Sequence, residues 1–285
     1  MQTARIVTVT YNSAEVIGPF LDSIPAGVDL VVVDNASADT TCEIVQSRGV
    51  SLIQQSENLG FGAACNAGAN GATQPYVLFV NPDARLEPGC MEALLKAAET
   101  HTEAGAFNPA ILTQSGAVRL NRRSCILPRA LWTDKALATP DPAISTEVRV
   151  LSGAALFCRR DAFEQVGGFD PRIFLYHEDD DLSVRLSEAG WRLRLEHSAQ
   201  VTHIGGASAG HSLQGAAFKA AAIAQSRLYV EGKHRISQPK LRGYLRALGK
   251  LASPLTLVSS RKRTQAIAYA KAVHRFDPNT YGTKG

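Results

Sequence analysis

A pattern repeated along the first third of the chain constrains the fold most. Short apolar, β-branched runs at 5–10, 30–33 and 76–80 each stop at a polar group, and helix-like segments separate them. Strands that lack polar alternation are buried on both faces, and strands that alternate with helices form parallel sheets. The pattern therefore predicts an α/β domain whose sheet is covered by helices on both sides.

Polar residues follow three of these strands at the point where each ends. Tyr11 and Asn12 come after the first, Asp34 after the second, and Asn81 and Asp83 after the strand at 76–80. In open α/β sheets, ligands bind beyond the carboxyl ends of the strands. We therefore expect the two aspartates at one edge of the sheet, although either of them alone could simply cap a helix.

Four consecutive acids, Glu178 to Asp181, precede a segment with helical apolar spacing that closes at Gly190. The spacing predicts that the acids begin a helix, where Asp181 would cap the first turn. Adjacent carboxylates raise one another's pKa and the positive helix terminus lowers it, which together can produce a general base. Glu178, Asp179 and Asp181 are therefore candidate catalytic residues, with a solvated acidic turn as the alternative.

The sequence gives little support for a dinucleotide-binding motif, a P-loop or a cysteine metal site. The glycines in Gly60-Phe61-Gly62 do not follow the first strand and lack a third partner, which argues against a dinucleotide-binding motif, and a phosphate-binding P-loop is absent. The five cysteines lack metal-type spacing and are expected to be reduced. Arg122 and Arg123 could face an acceptor phosphate or lie on a solvated surface.

Basic residues are concentrated near the C-terminus. Eleven Lys or Arg and no acid lie between Gly232 and Phe276, so the rest of the chain, with 19 basic and 26 acidic residues, has a charge of −7. We predict a first domain over 1–230 and a basic amphipathic helical extension over 231–285. One helical face would carry Leu241, Tyr244, Leu245, Leu248 and Leu251, and Lys240, Arg242, Arg246 and Lys250 would lie largely on the other. That apolar face either packs on the first domain or attaches to an anionic membrane.

Several motifs, in this order, resemble the family 2 inverting glycosyltransferases of GT-A fold. The resemblance covers about residues 5–210 and rests on segments at 7–13, 32–39, 58–61, 79–83, 153–157, 167–170 and 178–181, together with Asn66. Asn81-Pro82-Asp83 and the segment 201–206 resemble the rhamnosyltransferase-like branch, which builds bacterial cell-surface polysaccharides. The implied fold is a GT-A-like, Rossmann-type mixed sheet with flanking helices and a C-terminal basic helical extension.

The resemblance also implies roles for individual residues. Asp34 would accept the imide N–H of a uracil or thymine ring, and Tyr11 would flank that base. The residues matched to donor binding are Thr10, Tyr11, Asn12, Asp34, Asn58, Gly60, Phe61, Asn66, Asn81 and Gly153. Asp179 matches the general base that deprotonates the acceptor hydroxyl.

Asp83 matches the last acid of an Asp-X-Asp motif that holds a divalent ion, Mg²⁺ or Mn²⁺. Asn81 replaces the first acid of that motif and is a weaker ligand. His203 is the candidate second metal ligand, and an imidazole favours Mn²⁺. A loop histidine bonded to a backbone carbonyl is the alternative, and it would put metal dependence in doubt.

The implied activity is transfer of a hexose or deoxyhexose, with rhamnose as one candidate, from a UDP- or dTDP-type donor to a lipid-linked or polysaccharide acceptor. A non-catalytic nucleotide-sugar-binding protein and a sugar nucleotidyltransferase are the alternatives. The chain shows neither an apolar run of 18 residues nor a signal peptide pattern. We therefore expect a cytoplasmic protein that contacts the inner face of the membrane and does not bind nucleic acid.

Overall fold

Ten strands of the described residues form one mixed sheet in the computed structural model, which describes residues 3–113, 115–119, 124–127, 144–203, 212–279 and 281. The strands are β1 (Ala4–Thr10), β2 (Asp29–Asp34), β3 (Ser51–Gln54), β4 (Tyr76–Val80), β5 (Ala84–Leu86), β6 (Ala104–Leu112), β7 (Val118–Arg119), β8 (Thr146–Glu147), β9 (Ala155–Arg159) and β10 (Arg192–His203). The helices are α1 (Ala14–Asp22), α2 (Thr41–Ser47), α3 (Phe61–Ala69), α4 (Cys90–Thr100), α5 (Arg160–Gln165), α6 (Glu178–Glu188), α7 (Leu213–Lys233), α8 (Pro239–Leu251), α9 (Leu255–Val258) and α10 (Ser260–Arg275).

The sheet has a parallel half and a mixed half. Strands follow the order β3-β2-β1-β4-β9-β6-β10-β5, and β3, β2, β1 and β4 run parallel, as the sequence pattern predicts. Strand β9 lies antiparallel between β4 and β6, and β5 pairs antiparallel with β10. The α/β fold with a mixed sheet and flanking helices is therefore confirmed.

Apolar side chains cover both faces of the sheet. Neighbouring residues of β4 point to opposite sides, with Leu78 in one cluster and Phe79 in the other. The first cluster includes Phe20 of α1, and the second includes Phe163 of α5 and Leu182 of α6. Unbroken apolar strands are the expected result of this two-sided burial.

The apolar sequence at 148–158 predicts one strand, but the part of it before β9 is not a strand. The side-chain amide of Asn108 donates to the carbonyls of Ser152 and Ala155 and accepts the N–H of Ser152. The hydroxyl of Ser183 accepts the N–H of Leu151. Because side chains satisfy these backbone groups, no strand ladder is needed there, and Gly153 lies in the loop that leads into β9.

The described residues divide into two compact units. One comprises residues within 1–170 and 179–208, and the other comprises residues within 171–178 and 209–285. We call these the sheet unit and the helical unit. The observed division differs from the predicted boundary between 230 and 231, because α7 packs with α10 and α8. Residue Gly243 of α8, for example, approaches Leu228 of α7 and Val273 of α10 closely.

Residues 171–178 pack within the helical unit. The ring of Phe174 meets the ring of Phe218 edge-on, and the Ser226 hydroxyl donates to the carbonyl of Leu175. Tyr176 and His177 both have a backbone φ of 69°, a left-handed conformation that is uncommon for residues other than glycine. This segment therefore has a defined conformation immediately before α6.

The helices of the described residues are too short or too polar to cross a membrane. None of them combines the length and the apolar content that a crossing requires.

Candidate active site

The carboxylate of Asp34 lies at the carboxyl end of β2 and is buried. Its Oδ1 accepts the hydroxyls of Thr10, at 2.8 Å, and of Ser37, and its Oδ2 accepts the N–H of Ser37 at 2.8 Å. A carboxylate has about four acceptor positions, so Oδ2 can accept one more donor. The thiol of Cys42 lies beside this carboxylate, and burial, followed by the effect of Asp34, raises its pKa. A thiol is a weak donor, which a ring N–H could displace.

The loop after β1 is fixed against the loop after β2. Asn12 has a positive φ of 49°, its Oδ1 accepts the N–H of Ala38, and its N–H donates to the Ser37 hydroxyl. Tyr11, the residue before it, is exposed. Tyr11 directly follows Thr10, whose hydroxyl donates to Asp34, and an exposed aromatic ring is a suitable surface for a planar base to stack on.

The turn before α3 supports the same edge of the sheet. Asn58 accepts the N–H of Gly60 through its side chain, and the carbonyl of Gly60 accepts from the Asn35 side chain. Gly60 has a φ of 88°, a conformation that favours glycine at the start of this helix. These bonds connect the end of β2 to the beginning of α3.

Asn66 and Phe61 hold α3 against a later loop. The amide of Asn66 donates to the carbonyl of Phe169 and accepts its N–H, at 2.8 and 2.9 Å. The ring of Phe61 meets the ring of Phe169 edge-on. Both residues therefore have a structural role, because the Asn66 amide uses its oxygen and one N–H on the backbone of Phe169.

Asp83 and His203 lie together although 120 residues separate them in the chain. His203 ends β10 and pairs with Ala84 of β5, which places Nε2 of the imidazole 3.0 Å from Oδ1 of the buried Asp83. The amide nitrogen of Asn81 is 3.5 Å from the same imidazole nitrogen. The amide of Asn81 would have to turn to present its oxygen to a cation at this position.

Asp179 reaches the same end of the sheet through Gly153. Oδ2 of Asp179 accepts the N–H of Gly153 at 2.9 Å, and Oδ1 accepts the N–H of Asp180 at 2.9 Å. The next residue, Ala154, accepts the N–H of Asn81 through its carbonyl at 3.0 Å. Asp179 is therefore linked through the 153–154 backbone to the turn that carries Asp83.

The carboxyl of Asp179 has an altered proton affinity. Protein atoms surround the carboxylate although part of the residue reaches solvent, and this desolvation raises its pKa to about 6. The N–H of Gly153 opposes the increase, and the negative charge of Asp180 adds to it. A carboxylate with a pKa near 6 is mostly ionised at neutral pH and can still accept a proton readily.

The other acids of α6 have different environments. Asp181 was predicted to cap the helix, but this is wrong, because α6 begins at Glu178 and Asp181 is its fourth residue. Its buried carboxylate accepts from Arg185 at 2.8 Å within the same helix. The first-turn N–H of Asp180 bonds to Asp179 instead. Glu178 is the buried first residue of α6 and packs with the helical unit.

Three residues to which the sequence assigned no individual role position this site. Ser37 makes two bonds to Asp34, and Asn108 fixes the backbone around Gly153. Asp180 accepts the Ser124 hydroxyl and, at 2.7 Å, the N–H of Cys125, so it anchors the turn at 124–127. Arg122 and Arg123 lie outside the described residues.

The comparison with protein families decides the class of this chain. A family model described as Glycosyl transferase family 2 matches residues 5–167. The chain is a family 2 glycosyltransferase. The family resemblance drawn from the motifs is thereby confirmed.

Curated relatives of this glycosyltransferase come from mycobacteria. It is 34% identical to the N-acetylglucosaminyl-diphospho-decaprenol L-rhamnosyltransferase of Mycobacterium tuberculosis, over 70% of this chain and 75% of that protein. It is 29% identical to the pre-mycofactocin glycosyltransferase of the same organism, over 62% of this chain and 37% of that protein.

Solved structures show the fold of the glycosyltransferase independently. GalNAc-T7 with UDP, GalNAc and Mn²⁺ superposes with a TM-score of 0.60 at 12% identity, covering 100% of this chain and 56% of that one. A mannosyltransferase from Pyrobaculum calidifontis in complex with GDP-Man and Mn²⁺ superposes with a TM-score of 0.58 at 20% identity, covering 96% of this chain and 76% of that one. At these identities the likeness concerns the fold alone, and it confirms the GT-A-like architecture.

The Asp83–His203 pair of this glycosyltransferase has the chemistry of a partial metal site. Nε2 of His203 and Oδ1 of Asp83 are 3.0 Å apart, close enough for both atoms to contact one cation in place of the hydrogen bond between them. One carboxylate and one imidazole would suit Mn²⁺. The residues present therefore fit a divalent ion.

Proposed function

We propose that this glycosyltransferase moves a sugar, with rhamnose as the first candidate, from a UDP- or dTDP-linked donor to a lipid-linked or polysaccharide acceptor. The product would belong to bacterial cell-surface glycan synthesis. The kinship with the mycobacterial rhamnosyltransferase, whose name specifies a diphospho-decaprenol acceptor, supports the sugar and the acceptor class. The solved neighbours hold UDP or GDP-Man, so the fold alone leaves the nucleobase open.

The position of Asp179 carries this proposal. Each oxygen of the carboxylate accepts one backbone N–H, so each keeps a lone pair for a substrate hydroxyl. The acceptor oxygen would give its proton to Asp179 and bond to the anomeric carbon, while the bond to the diphosphate breaks and its electron pair leaves with the diphosphate. A single displacement of this kind inverts the anomeric configuration.

Asp34 and Asp83 would hold the donor at the same sheet edge. Oδ2 of Asp34 would accept the imide N–H of the base, which Tyr11 would flank. Asp83 and His203 would hold Mn²⁺ or Mg²⁺, and Asn81 would support them. When bound, the ion neutralises the negative charge that accumulates on the leaving diphosphate.

We place the enzyme at the cytoplasmic face of the membrane, in peripheral contact with anionic lipid. The basic segment 232–276 supports this location, because each Lys or Arg near anionic headgroups contributes ~1 kcal/mol of attraction. A lipid-linked acceptor would present its sugar at the same surface.

The test is a product analysis with a donor panel. The enzyme is incubated with Mn²⁺, UDP- and dTDP-linked sugars and an N-acetylglucosaminyl-diphospho-polyprenol acceptor. We expect release of nucleoside diphosphate that depends on the acceptor, and a product whose anomeric configuration by NMR is opposite to that of the donor. Release of pyrophosphate would indicate a nucleotidyltransferase, and donor binding without any turnover would indicate a binding protein.

A further inference from the structure

Helices α8 and α9 expose large apolar side chains along one continuous stretch of sequence. We call these side chains the leucine face; they are Leu241, Leu245, Leu248, Leu251, Leu255, Leu257 and Val258. The exposed fraction is 61% for Leu248, 80% for Leu257 and 84% for Val258. Scattered exposed leucines are ordinary on a soluble protein, whereas a contiguous apolar patch marks an interaction site.

Helix α8 has the reverse of the usual amphipathic arrangement. Its buried positions are the small residues Gly243 and Ala247, and Gly243 approaches Leu228 and Val273 closely. A helix that packs through small residues can lie close to its neighbours without burying its leucines. The apolar face is therefore not covered by the described residues of the chain.

Several basic side chains of α8 are directed into the helical unit. Lys240 donates to the carbonyl of Phe276, Arg246 pairs with the buried Glu231, and the Lys250 ammonium lies 5.0 Å from the centre of the Tyr269 ring. These contacts fix the rotation of α8 and so the outward direction of its leucines. The sequence predicted an apolar and a basic face for this helix, but it left open which one would face outward.

The sequence segment that carries the leucine face contains charges of one sign only. No acid occurs between Gly232 and Phe276, and Arg242, Lys262 and Arg263 in this stretch are exposed. Apolar side chains flanked by cations match the boundary between anionic headgroups and acyl chains. A second copy of the chain would match poorly, because a symmetric contact would bring two sets of cations together without an acid from this segment.

We propose that the leucine face is the surface by which this protein docks on an anionic bilayer. The leucines and Val258 enter the headgroup boundary, and Arg242 and Lys262 contact lipid phosphates. The inference deepens the proposed function, on which it rests for the membrane location of the acceptor, by naming the surface and its lipid partner. It does not depend on which sugar the enzyme transfers.

Vesicle flotation of the full-length protein tests whether the apolar side chains of the leucine face contribute to docking. Wild type should float with vesicles that contain phosphatidylglycerol, float less with pure phosphatidylcholine vesicles, and be released at high salt. Leu248→Ser with Leu257→Ser should lower the partition coefficient by about tenfold or more. The matched control, Ile144→Ser with Leu213→Ser, replaces side chains that are 58% and 50% exposed outside the leucine face, and it should stay within about twofold of wild type.

A charge exchange tests the electrostatic part. Arg242→Glu should weaken binding to anionic vesicles by about 30-fold at low salt, because two units of charge change near the headgroups. Lys96→Glu makes the same change at the exposed surface of α4 in the sheet unit and should have little effect. Binding of nucleoside diphosphate and the thermal midpoint, measured for every variant, establish that each one is folded.

The outcomes separate this inference from the proposed function. Docking is overturned if the wild type ignores anionic vesicles at low salt, or if the leucine variant floats as well as its control. It is also overturned if light scattering shows a wild-type dimer that the leucine variant converts to a monomer, since a second copy would then cover the face. Vesicle binding without sugar transfer from any donor would contradict the proposed function and leave docking supported.

Discussion

Oδ2 of Asp179 and the backbone N–H of Gly153 are joined by a hydrogen bond of 2.9 Å, which holds the candidate base against the loop that leads into β9. Asp179→Asn keeps an oxygen for this bond and removes the proton acceptor. We expect turnover to fall by about 10²–10⁴-fold while calorimetry shows nearly unchanged binding of nucleoside diphosphate. Activity within threefold of wild type would exclude Asp179 as the base. Asp161→Asn, at the start of α5, is the matched control.

The same substitution should stabilise the fold at neutral pH. Asp179 binds its proton more tightly in the folded state, so it favours folding at low pH, and that contribution is lost as pH rises from 3.8 to about 6. With allowance for solvent screening, and for the loss of the oxygen that accepts the N–H of Asp180, Asp179→Asn should raise the free energy of unfolding by about 1 kcal/mol above pH 7. Urea titrations at pH 7.5 and pH 4.5 measure the gain, which should shrink at the lower pH. A gain that is equal at both values would mean that Asp179 does not titrate in this range.

The pH dependence of kcat/KM should report the charge of Asp180. Wild-type kcat/KM should fall below pH 6, because the base must be ionised and burial raises its pKa to about 6. Asp180→Asn removes a neighbouring negative charge and should therefore shift the fall in kcat/KM to lower pH. Ser124→Ala removes one hydrogen bond to Asp180 but leaves its charge, so the fall in kcat/KM should stay near pH 6. If kcat/KM fell at the same pH in wild type and Asp180→Asn, the charge of Asp180 would not contribute to the raised pKa of Asp179.

Removal of the imidazole tests the metal ligands. His203→Ala and Asp83→Ala should each weaken the Mn²⁺-dependent binding of nucleoside diphosphate and leave binding of the free nucleoside unchanged, because only the diphosphate would contact the ion. Calorimetry with Mn²⁺ and with EDTA separates the two contributions. His101→Ala is the control, because that histidine is paired with Glu103 away from this site. Full Mn²⁺ dependence in His203→Ala would exclude the shared site.

The oxygen Oδ2 of Asp34, which can accept one more hydrogen bond, should make the site select among nucleobases. Uridine and thymidine diphosphates offer an imide N–H to Oδ2 and should bind, whereas cytidine diphosphate should not. Competition against a fluorescent nucleotide gives the relative affinities. Asp34→Asn should reduce this preference, since an amide presents N–H groups as well as an oxygen. Tight binding of guanosine diphosphate to the wild type would show that ring size is selected elsewhere.

Local patterns were sufficient to predict the parallel half of the sheet and the edge where Asp34 and Asp83 lie. The unbroken apolar run at 76–80 specified a doubly buried strand, and the structure has β4 there. The position of β9 between β4 and β6 could not be predicted, because antiparallel pairing between segments about 80 and 50 residues apart leaves no local periodic signal.

The supporting residues of the site were missed for a similar reason. Asn108 and Asp180 act through backbone groups that only the folded chain brings near them. The cap predicted for Asp181 failed because α6 begins three residues earlier, at Glu178, and Asp181 pairs with Arg185 one turn later. Such a choice between partners depends on side-chain packing, which helical spacing alone does not specify.

Residues 171–178 pack with the helical unit although they lie between two segments of the sheet unit in the chain. A recombination event at a single point near residue 208 would therefore exchange Phe218 and Ser226 while keeping the old Phe174 and Leu175, which contact them. The C-terminal helices and the eight residues before Asp179 should be inherited as one module. A chimera that takes its C-terminal helices from a relative would also need residues 171–178 of that relative to preserve these contacts.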